Sequence, residues 1–455
     1  MTDGSSIFEV VGLPHPDRGE RVAKLAELGF TWADLEEEEY WIDQLVLMPK
    51  ATYAELEQAA AALWRILDKA VRYVHRRPDL YELIGIPPIL WTMLDELPMP
   101  EPGVISRYAR FDFAVANDGT IKLLELNADT PTGYVEASIA TPWLIEQAGY
   151  ASPNARMKDL VAEAWGIERP DTAACVDYGW HLEDSGTIEA LGRHSGLDLH
   201  YEDCLELWVD EGTLKNKDGR SIERLFALYP KEWMAVDDAG EALSYAIETG
   251  RLTIFNGPHS ILLQSKGLLA AVWGLYELGL LFDEEERQAI AKYVLPTYNK
   301  PVFSGDFVSK SMFGREGGSV RLFDAEGELE LEDQEGFDSS VLFPTVYQKK
   351  SRVGPDRNGR GRAAFADRHV RPERDPLRPA GAGRRTDHRQ CQSFYRVRSE
   401  INALYEAALG AAIPRYADAG VVRSGTRSLR QYDQRLLHRY RFGVGVNDRP
   451  STLGL

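Results

Sequence analysis

The sequence predicts an α+β protein, in which mixed and antiparallel sheets are flanked by helices. Three patterns indicate this class: a hairpin that begins at Arg107, a long amphipathic helix from Thr52 to Val74, and a strand, loop and strand over residues 307–320. Antiparallel strands that are segregated from the helices are typical of α+β folds.

The long helix pattern begins with Thr52 and Glu55, which have the spacing of a capping box. Apolar residues then recur at helical spacing. These residues are Leu56, Leu63, Ile66, Leu67, Ala70 and Val74. The pattern predicts a structural helix of the kind that packs one apolar face on a core.

The hairpin pattern consists of two alternating apolar and polar runs around Asp118-Gly119, a strong turn signal. If the loop has two residues, Arg110 faces Asn127 and Asp112 faces Glu125, all on one face of the sheet. Four apolar residues would share that face nearer the turn: Ala114, Ala116, Ile121 and Leu123. A three-residue loop would shift the register by one and separate the facing pairs.

Two carboxylates that face each other across a hairpin repel, so we expect a positive charge between Asp112 and Glu125. Magnesium accepts one or two carboxylates, and the Asn127 carbonyl could complete a metal site of Asp112, Glu125 and Asn127. Arg110 beside it could hold a phosphate or carboxylate oxygen. The alternatives are solvated charges on an exposed hairpin, or a salt bridge from Arg110 to one of the two acids.

Residues 307–320 form a second pattern, in which an apolar strand reaches Lys310 and a glycine-rich turn follows. Glycines such as Gly314, Gly317 and Gly318 let backbone N–H groups close on phosphate oxygens, and a lysine adds a point charge. The spacing differs from that of a Walker motif. The sequence therefore predicts a phosphate-binding loop, and the alternative is a loose hairpin turn.

Arg110-Phe-Asp112, followed by Glu125-Leu-Asn-Ala-Asp-Thr-Pro-Thr and then Glu136, resembles the synthetase domain of the glutathionylspermidine synthase family. The resemblance covers roughly residues 20–350. It implies an ATP-grasp-like fold with a pre-ATP-grasp portion, with magnesium on Asp112, Glu125 and Asn127. It also implies that Arg110 contacts ATP and the reacting carboxylate, and that the Lys310 loop is the flexible lid.

The resemblance further assigns ATP contacts to Lys266 and Gln348, beside Arg110, Asp112, Lys310 and the lid glycines. Arg110 and Lys310 are then the catalytic residues. Thr130, Glu183 and Asp184 are the substrate candidates, the two acids because the family binds its polyamine ammonium groups at such a pair. From the residues alone, the two acids could simply cap a helix, and Lys266 could be a surface lysine.

The implied activity is an ATP-dependent carboxylate–amine ligase that forms an amide through an acyl phosphate, with ATP and Mg²⁺ as cofactors. The implied substrates are small molecules, a carboxylate such as a peptide and a polyamine-like amine; glutathione and spermidine are the family's named pair. The segment Pro230-Lys231-Glu232-Trp233 matches the family's tripeptide-contacting loop weakly. We expect that the amidase domain of some family members is absent. The alternatives are a non-catalytic nucleotide-binding protein and a metal-dependent hydrolase.

The composition is that of a soluble globular protein, with a net charge of −19 that argues against nucleic-acid binding. Residues 1–12 lack the features of a signal peptide, and the apolar run at 267–282 is too short to span a bilayer. Cys175, Cys204 and Cys391 form no metal or redox motif. We therefore expect a cytoplasmic protein that binds no membrane.

The charge changes sign along the chain. Residues 351–455 contain 21 Arg, no Lys and 10 acids, a balance of +11, whereas residues 1–350 have a balance of −30. Our hypothesis is that the reading frame has shifted near residue 349, which would leave the activity in doubt; a basic extension or a divergent lid are the alternatives. Resequencing the locus distinguishes them, since an unbroken frame contradicts the shift.

Four segments are predicted from these patterns. Residues 1–105 form a mainly helical portion, 106–300 the synthetase core with the hairpin and the substrate region, 301–350 the lid, and 351–455 the Arg-rich segment.

Overall fold

The computed structural model describes residues 8–351, except for 12–16, 36–37, 42–44, 117, 151, 167–172, 178–181, 198, 204–205, 237–239, 316–317 and 333–338. The predicted phosphate contact at Gly317 lies outside the described residues, as does the Arg-rich segment after residue 351. The reading-frame hypothesis therefore stays a hypothesis.

Helices occur throughout the described chain. The α-helices are Arg18–Glu27, Lys50–Val74, Pro78–Leu83, Trp91–Glu96, Thr141–Gln147, Met157–Gly166, Leu182–Ser195, Gly240–Glu248, Ser260–Gln264, Gly267–Glu277 and Glu284–Tyr293. Shorter helical turns of other types are Pro88–Leu90, Glu136–Ala140, Lys231–Ala235 and Ser339–Val341.

Three of the sheets matter for the site. The central hairpin pairs Arg110–Val115 with Ile121–Asn127. The parallel sheet contains, in spatial order, Thr253–Ile254, Arg224–Ala227, Ala173–Asp177 and His200–Asp203. The third sheet, which we name the lid sheet after the predicted lid, is antiparallel. In spatial order it contains Thr297–Tyr298, Thr345–Lys349, Phe307–Ser311, Arg321–Phe323 and Leu329–Glu332.

The remaining strands form small antiparallel sheets. One pairs Glu9–Val11 with Leu45–Leu47, another pairs Asp34–Leu35 with Glu38–Glu39, and the third contains Ser221–Ile222, Thr213–Lys215 and Trp208–Asp210. Helices that flank mixed and antiparallel sheets confirm the predicted α+β class.

The first long helix runs over Lys50–Val74, so the predicted element is confirmed. Its capping box is wrong, because the helix begins after Pro49 and no side chain caps it. Pro49 occupies the N-cap position, and its ring has no acceptor atom with which to cap the first turn. The apolar face is buried, and the Trp64 ring lies edge-on to Phe111 of the central hairpin, with 6.3 Å between centroids.

The hairpin register is confirmed at the polar end and wrong near the turn. Asp112 pairs with Glu125 as predicted, but Phe113 pairs with Leu123, so the register shifts by one residue between these pairs. Leu124 is the additional residue of this bulge. The Ala116 N–H donates to the Thr120 carbonyl (2.9 Å), so three residues form the loop. The bulge compensates the longer loop and restores the facing acids.

The same bulge changes the faces of two residues. Ile121 and Leu123 pair with Val115 and Phe113, and therefore lie on the face opposite Asp112, not beside it. That face is fully apolar and buried in the core. The polar ends of the hairpin consequently face the site while its other face packs on helices.

One buried apolar cluster contains residues from Phe8 to Val346, and it therefore includes all of the predicted segments before residue 351. A second cluster groups Leu25, Phe30 and Trp32 with the helices around Leu144 and Ile188. The predicted boundaries at residues 105 and 300 do not coincide with separate cores, and the division into segments stays a prediction. Within the described residues, no helix has the length and apolar character needed to cross a membrane.

Candidate active site

Arg110 and Asp112 form a buried, two-point ion pair on the polar face of the hairpin. Nε of Arg110 donates to Oδ1 of Asp112 (2.8 Å), and Nη2 donates to Oδ2 (3.1 Å). The third nitrogen, Nη1, donates to the Thr132 carbonyl (3.0 Å). Burial opposes the charge of Arg110, but Asp112 and Glu125 raise its pKa above the usual value. This fork fixes the guanidinium next to the carboxylate pair.

Asn127 lies between the two facing acids. Its amide nitrogen donates to Oδ2 of Asp112 (3.2 Å) and to Oε1 of Glu125 (3.1 Å). Its amide oxygen accepts from Nε2 of Gln264 (3.1 Å). The Gln264 oxygen in turn accepts the backbone N–H groups of residues 128 and 129. One chain of hydrogen bonds therefore runs from the backbone through the Gln264 and Asn127 amides to the carboxylates of Asp112 and Glu125, and it orients all four side chains.

Lys266 joins this cluster from the start of the helix Gly267–Glu277. Its side chain is buried, and Nζ lies 3.1 Å from Oε2 of Glu125. The same Nζ donates to the Gly314 carbonyl in the lid (2.7 Å), and the Lys266 backbone N–H donates to the backbone carbonyl of Met312 (3.0 Å). Lys266 therefore connects the hairpin carboxylates to the lid loop, so it is not a surface lysine.

Lys310 approaches from the lid sheet. Its Nζ donates to Oε1 of Gln348 on the neighbouring strand (3.0 Å). Burial lowers the pKa of Lys310 to about 8; Glu125 and Asp112 oppose this shift, and Lys266 adds to it. The predicted residues of the hairpin and of the lid are therefore close enough to interact electrostatically.

The donor set of the predicted metal site consists of oxygen atoms, which suit a hard cation such as Mg²⁺. At present the Asn127 amide hydrogens lie between Asp112 and Glu125. Turning this amide so that its oxygen reaches a metal between the two acids would break the hydrogen bond that the oxygen accepts from Gln264. Among the described residues, no cluster of three or more His, Cys, Asp or Glu side chains could hold a metal ion. These two carboxylates would therefore need additional oxygen ligands from a phosphate or from water.

The lid loop after Phe307–Ser311 is tightly turned. The Gly318 N–H donates to the Arg315 carbonyl (2.8 Å). A Cβ at Gly314 would lie 2.9 Å from the Gly318 carbonyl oxygen, closer than normal packing allows. Gly314 is therefore required for the close approach of two backbone segments.

A second polar cluster lies directly after the hairpin, around Asp129. Its Oδ1 accepts from Nζ of Lys231 and from Ser260 Oγ (3.2 Å), and its Oδ2 accepts the Lys231 backbone N–H (2.9 Å). Asp129 and Lys231 are both almost completely buried. This ion pair fixes the helical turn Lys231–Ala235 against the end of the hairpin.

Arg315 of the lid loop contacts the same cluster. Its Nε and Nη2 donate to Oε1 of the buried Glu232 (3.0 and 2.8 Å), and Nη1 donates to Oγ1 of Thr130 (2.7 Å). Burial works against the charge of Arg315, but Glu232, Asp129 and more weakly Asp184 hold its pKa above the usual value. Thr130 and Asp184 are thereby brought together with the lid.

Glu183 and Asp184 lie in the first turn of the helix Leu182–Ser195 and are half-buried. Asp184 interacts electrostatically with Arg315.

Sequence reasoning gave no role to Asp129, Lys231, Glu232, Gln264 and Arg315. All of these except Gln264 lie inside motifs that the family resemblance already uses, but the sequence does not show which residues they contact. Gln264 lies in the short helix Ser260–Gln264 and carries no motif signal.

The chain belongs to the family described as "Glutathionylspermidine synthase preATP-grasp", whose sequence model matches residues 13–366. This match covers most of the chain. It confirms the predicted resemblance and the ATP-grasp-like fold with a pre-ATP-grasp portion.

A curated relative from Haemophilus influenzae, named "Putative acid–amine ligase", is 26% identical over 261 residues. The match covers 53% of this chain and 62% of that relative's length. A solved structure, a glutathione synthetase-like effector from Globodera pallida, aligns with a TM-score of 0.40 and 10% identity, covering 73% of this chain and 81% of its own.

Proposed function

We propose that the protein is an ATP-dependent ligase that joins a carboxylate to an amine through an acyl phosphate. The observation that carries the proposal is the charge of the first cluster. Arg110, Lys266 and Lys310 outnumber Asp112 and Glu125, which leaves an excess of positive charge in a mostly buried place. In a chain with a net charge of −19, such a local excess favours an anionic ligand.

The arrangement suits phosphoryl transfer, in which catalysis consists mainly of positioning and charge compensation. Lys266 and Lys310 would hold phosphate oxygens from the lid side, and Gln348 orients Lys310. Arg110 would hold an oxygen of the reacting carboxylate. The residues Asp112, Glu125 and Asn127 would hold Mg²⁺, which supplies screening of the phosphate charges. Gly314 and Gly318 would let the lid backbone approach the phosphates.

The name of the curated relative supports acid–amine ligation as the reaction class. An amine that attacks an acyl phosphate forms the C–N bond as the C–O bond to phosphate breaks, so no covalent enzyme nucleophile is needed. We propose that Thr130, Glu183 and Asp184 contact the substrates, and that residues 301–350 act as the lid over residues 106–300.

The test is ADP release from ATP and Mg²⁺ on adding candidate acids and amines, with glutathione and short peptides as acids and spermidine as the amine. Release that requires ATP, metal, acid and amine together is the expected result. Nucleotide binding without release would indicate a non-catalytic protein. Amide hydrolysis without ATP would indicate a metal-dependent hydrolase.

A further inference from the structure

Glu232 is a buried carboxylate of which only one oxygen has a hydrogen-bond donor among the described residues. Its exposed fraction is 1%, and Oε1 takes two N–H groups of Arg315. The second oxygen, Oε2, is also buried and has no hydrogen-bond partner among the described residues. Buried carboxylate oxygens are costly to leave without a donor, so such an oxygen marks a place for a ligand donor.

Asp129 is a second buried carboxylate of the same cluster, and its hydrogen bonds can be compared with those of Glu232. Both of its oxygens are used within the chain, by Lys231 and Ser260. The contrast shows that the cluster can satisfy a buried acid where no ligand is required. Burial and Asp129 raise the pKa of Glu232, although Arg315 opposes the shift.

The position of Glu232 connects the two halves of the site. Arg315 touches Glu232 and Thr130, and Arg110 touches the Thr132 carbonyl two residues further on. The segment 130–132 is therefore contacted by the guanidinium of the metal cluster and by that of the Glu232 cluster. A ligand at Glu232 would therefore lie beside Arg315, which shares this segment with Arg110.

The charge of the second cluster favours a cation. Asp129 and Glu232 are paired with Lys231 and Arg315, and Arg315 also interacts with Asp184, so three acids lie around these two positive side chains. The first cluster has the opposite excess, so the two neighbouring clusters suit ligands of opposite charge.

We propose that Glu232 receives the ammonium group of the amine substrate through Oε2 and takes its proton before amide formation. This inference rests on the proposed ligase function. A primary amine is protonated at neutral pH, and only its free form has a lone pair for attack. One N–H proton moves to Oε2, the lone pair forms the C–N bond, and phosphate leaves with the electrons of the C–O bond. The second N–H proton leaves with solvent or phosphate.

Glu232→Gln is the variant to test. Its amide can still accept from Arg315, but at the position of Oε2 it presents N–H groups that repel an ammonium. The control is Asp68→Asn, which changes another buried, arginine-paired acid, held by Arg72 on the helix Lys50–Val74.

The first measurement is calorimetric binding of spermidine, putrescine and propylamine to the full-length protein without ATP. We expect Glu232→Gln to weaken amine binding at least about tenfold and to leave ATP binding unchanged, with no effect of the control. Binding equal to that of the wild type overturns the inference, and so does a wild type that binds none of the three amines.

The second measurement separates the two proposals. Hydroxylamine is uncharged at neutral pH, so it can trap an acyl phosphate without a carboxylate to receive its proton. With glutathione or another accepted acid, Glu232→Gln should keep hydroxamate formation and lose transfer to spermidine, and its transfer rate should rise with pH. Equal loss of both reactions overturns the role of Glu232. Absence of hydroxamate in the wild type contradicts the ligase function instead, and leaves the binding result to decide on Glu232.

If Glu232→Gln does not fold, Glu232→Asp, which keeps the charge but withdraws the oxygen, replaces it with the same expectations.

Discussion

Lys310 sits half-buried near a second lysine, and burial lowers its pKa to about 8. In the unfolded chain the same group has its ordinary pKa of about 10.4, so between these values the native state binds fewer protons. Burial of the charged Lys310 therefore lowers the free energy of unfolding by its full amount below about pH 8. This cost disappears as the pH rises toward the pKa of the lysine in the unfolded chain. A bound polyphosphate would reverse this shift, because a nearby anion favours the ammonium form.

Lys310 should therefore react unusually well with amine-acylating reagents. We expect its modification, followed by peptide mass spectrometry, to reach half its maximum near pH 8 and to be blocked by ATP with Mg²⁺. The exposed Lys217, whose pKa is raised by Glu206, is the internal control and should require higher pH. Equal reactivity of the two lysines, or no protection by ATP, would contradict this account.

Asp112 and Glu125 should differ in what their loss does to the fold. Asp112→Asn should reduce ATP turnover by about 10²-fold or more. It should also lower the free energy of unfolding by about 3 kcal/mol, because it leaves the buried Arg110 without its carboxylate. Glu125→Gln should reduce turnover with a smaller stability cost, since its side chain is 21% exposed. Denaturant unfolding and ADP release measure the two effects, and equal stability of the variants would count against the buried fork.

The hairpin shows which features of a single element the local sequence predicts and which it does not. The turn signal and the alternation correctly predict two strands and the facing of Asp112 with Glu125. They do not predict the bulge at Leu124, although the apolar positions change phase there, from Ile121 and Leu123 to Leu124 and Leu126. The prediction kept one register for the whole hairpin and read this change as a separation of its polar and apolar ends. Two departures from the simplest register, a longer loop and a bulge, cancel at the polar end of the hairpin.

The lid loop offers an element-scale test with a matched glycine. Gly314→Ala should weaken ATP binding at least about tenfold, because the new Cβ would displace the Gly318 carbonyl and with it the Gly314 carbonyl that holds Lys266. Gly274→Ala lies in an open position of the helix Gly267–Glu277 and should stabilise the protein by up to about 1 kcal/mol. Calorimetry and thermal unfolding measure both, and unchanged ATP binding in Gly314→Ala would remove the loop from the site.

At the scale of the whole molecule, the sequence predicts separate motifs but not their partners. Arg315 and Glu232 are 83 positions apart, and Lys231 and Asp129 are 102 apart. No local pattern relates such residues, since only the tertiary packing brings the lid, the turn Lys231–Ala235 and the hairpin together. The family resemblance supplied the first cluster because it identifies roles residue by residue. It left Glu232 without a role.

Acid should destabilise the whole fold through His259. This histidine is buried and contacts the Leu94 carbonyl, as does His75 beside it. Burial lowers the pKa of His259 to about 4; the Leu94 carbonyl and Asp95 oppose this, and His75 and Arg72 add to it. The unfolded chain then binds the proton first, so stability should fall as the pH decreases from about 6.5 to 4.

His259→Gln should flatten part of that pH dependence in denaturant unfolding. His200→Gln, at an exposed position, should leave the dependence as it is. A wild-type stability that is constant over this pH interval would contradict a buried neutral His259.

The most direct measurement is a double-mutant cycle on the affinity for ATP with Mg²⁺, using Glu125→Gln, Lys310→Met and the double variant. If one bound nucleotide is held from the hairpin and from the lid, the two losses should be non-additive, with a coupling of about 1 kcal/mol or more. Strictly additive losses would mean that the two residues act on separate sites, and this would contradict the central claim.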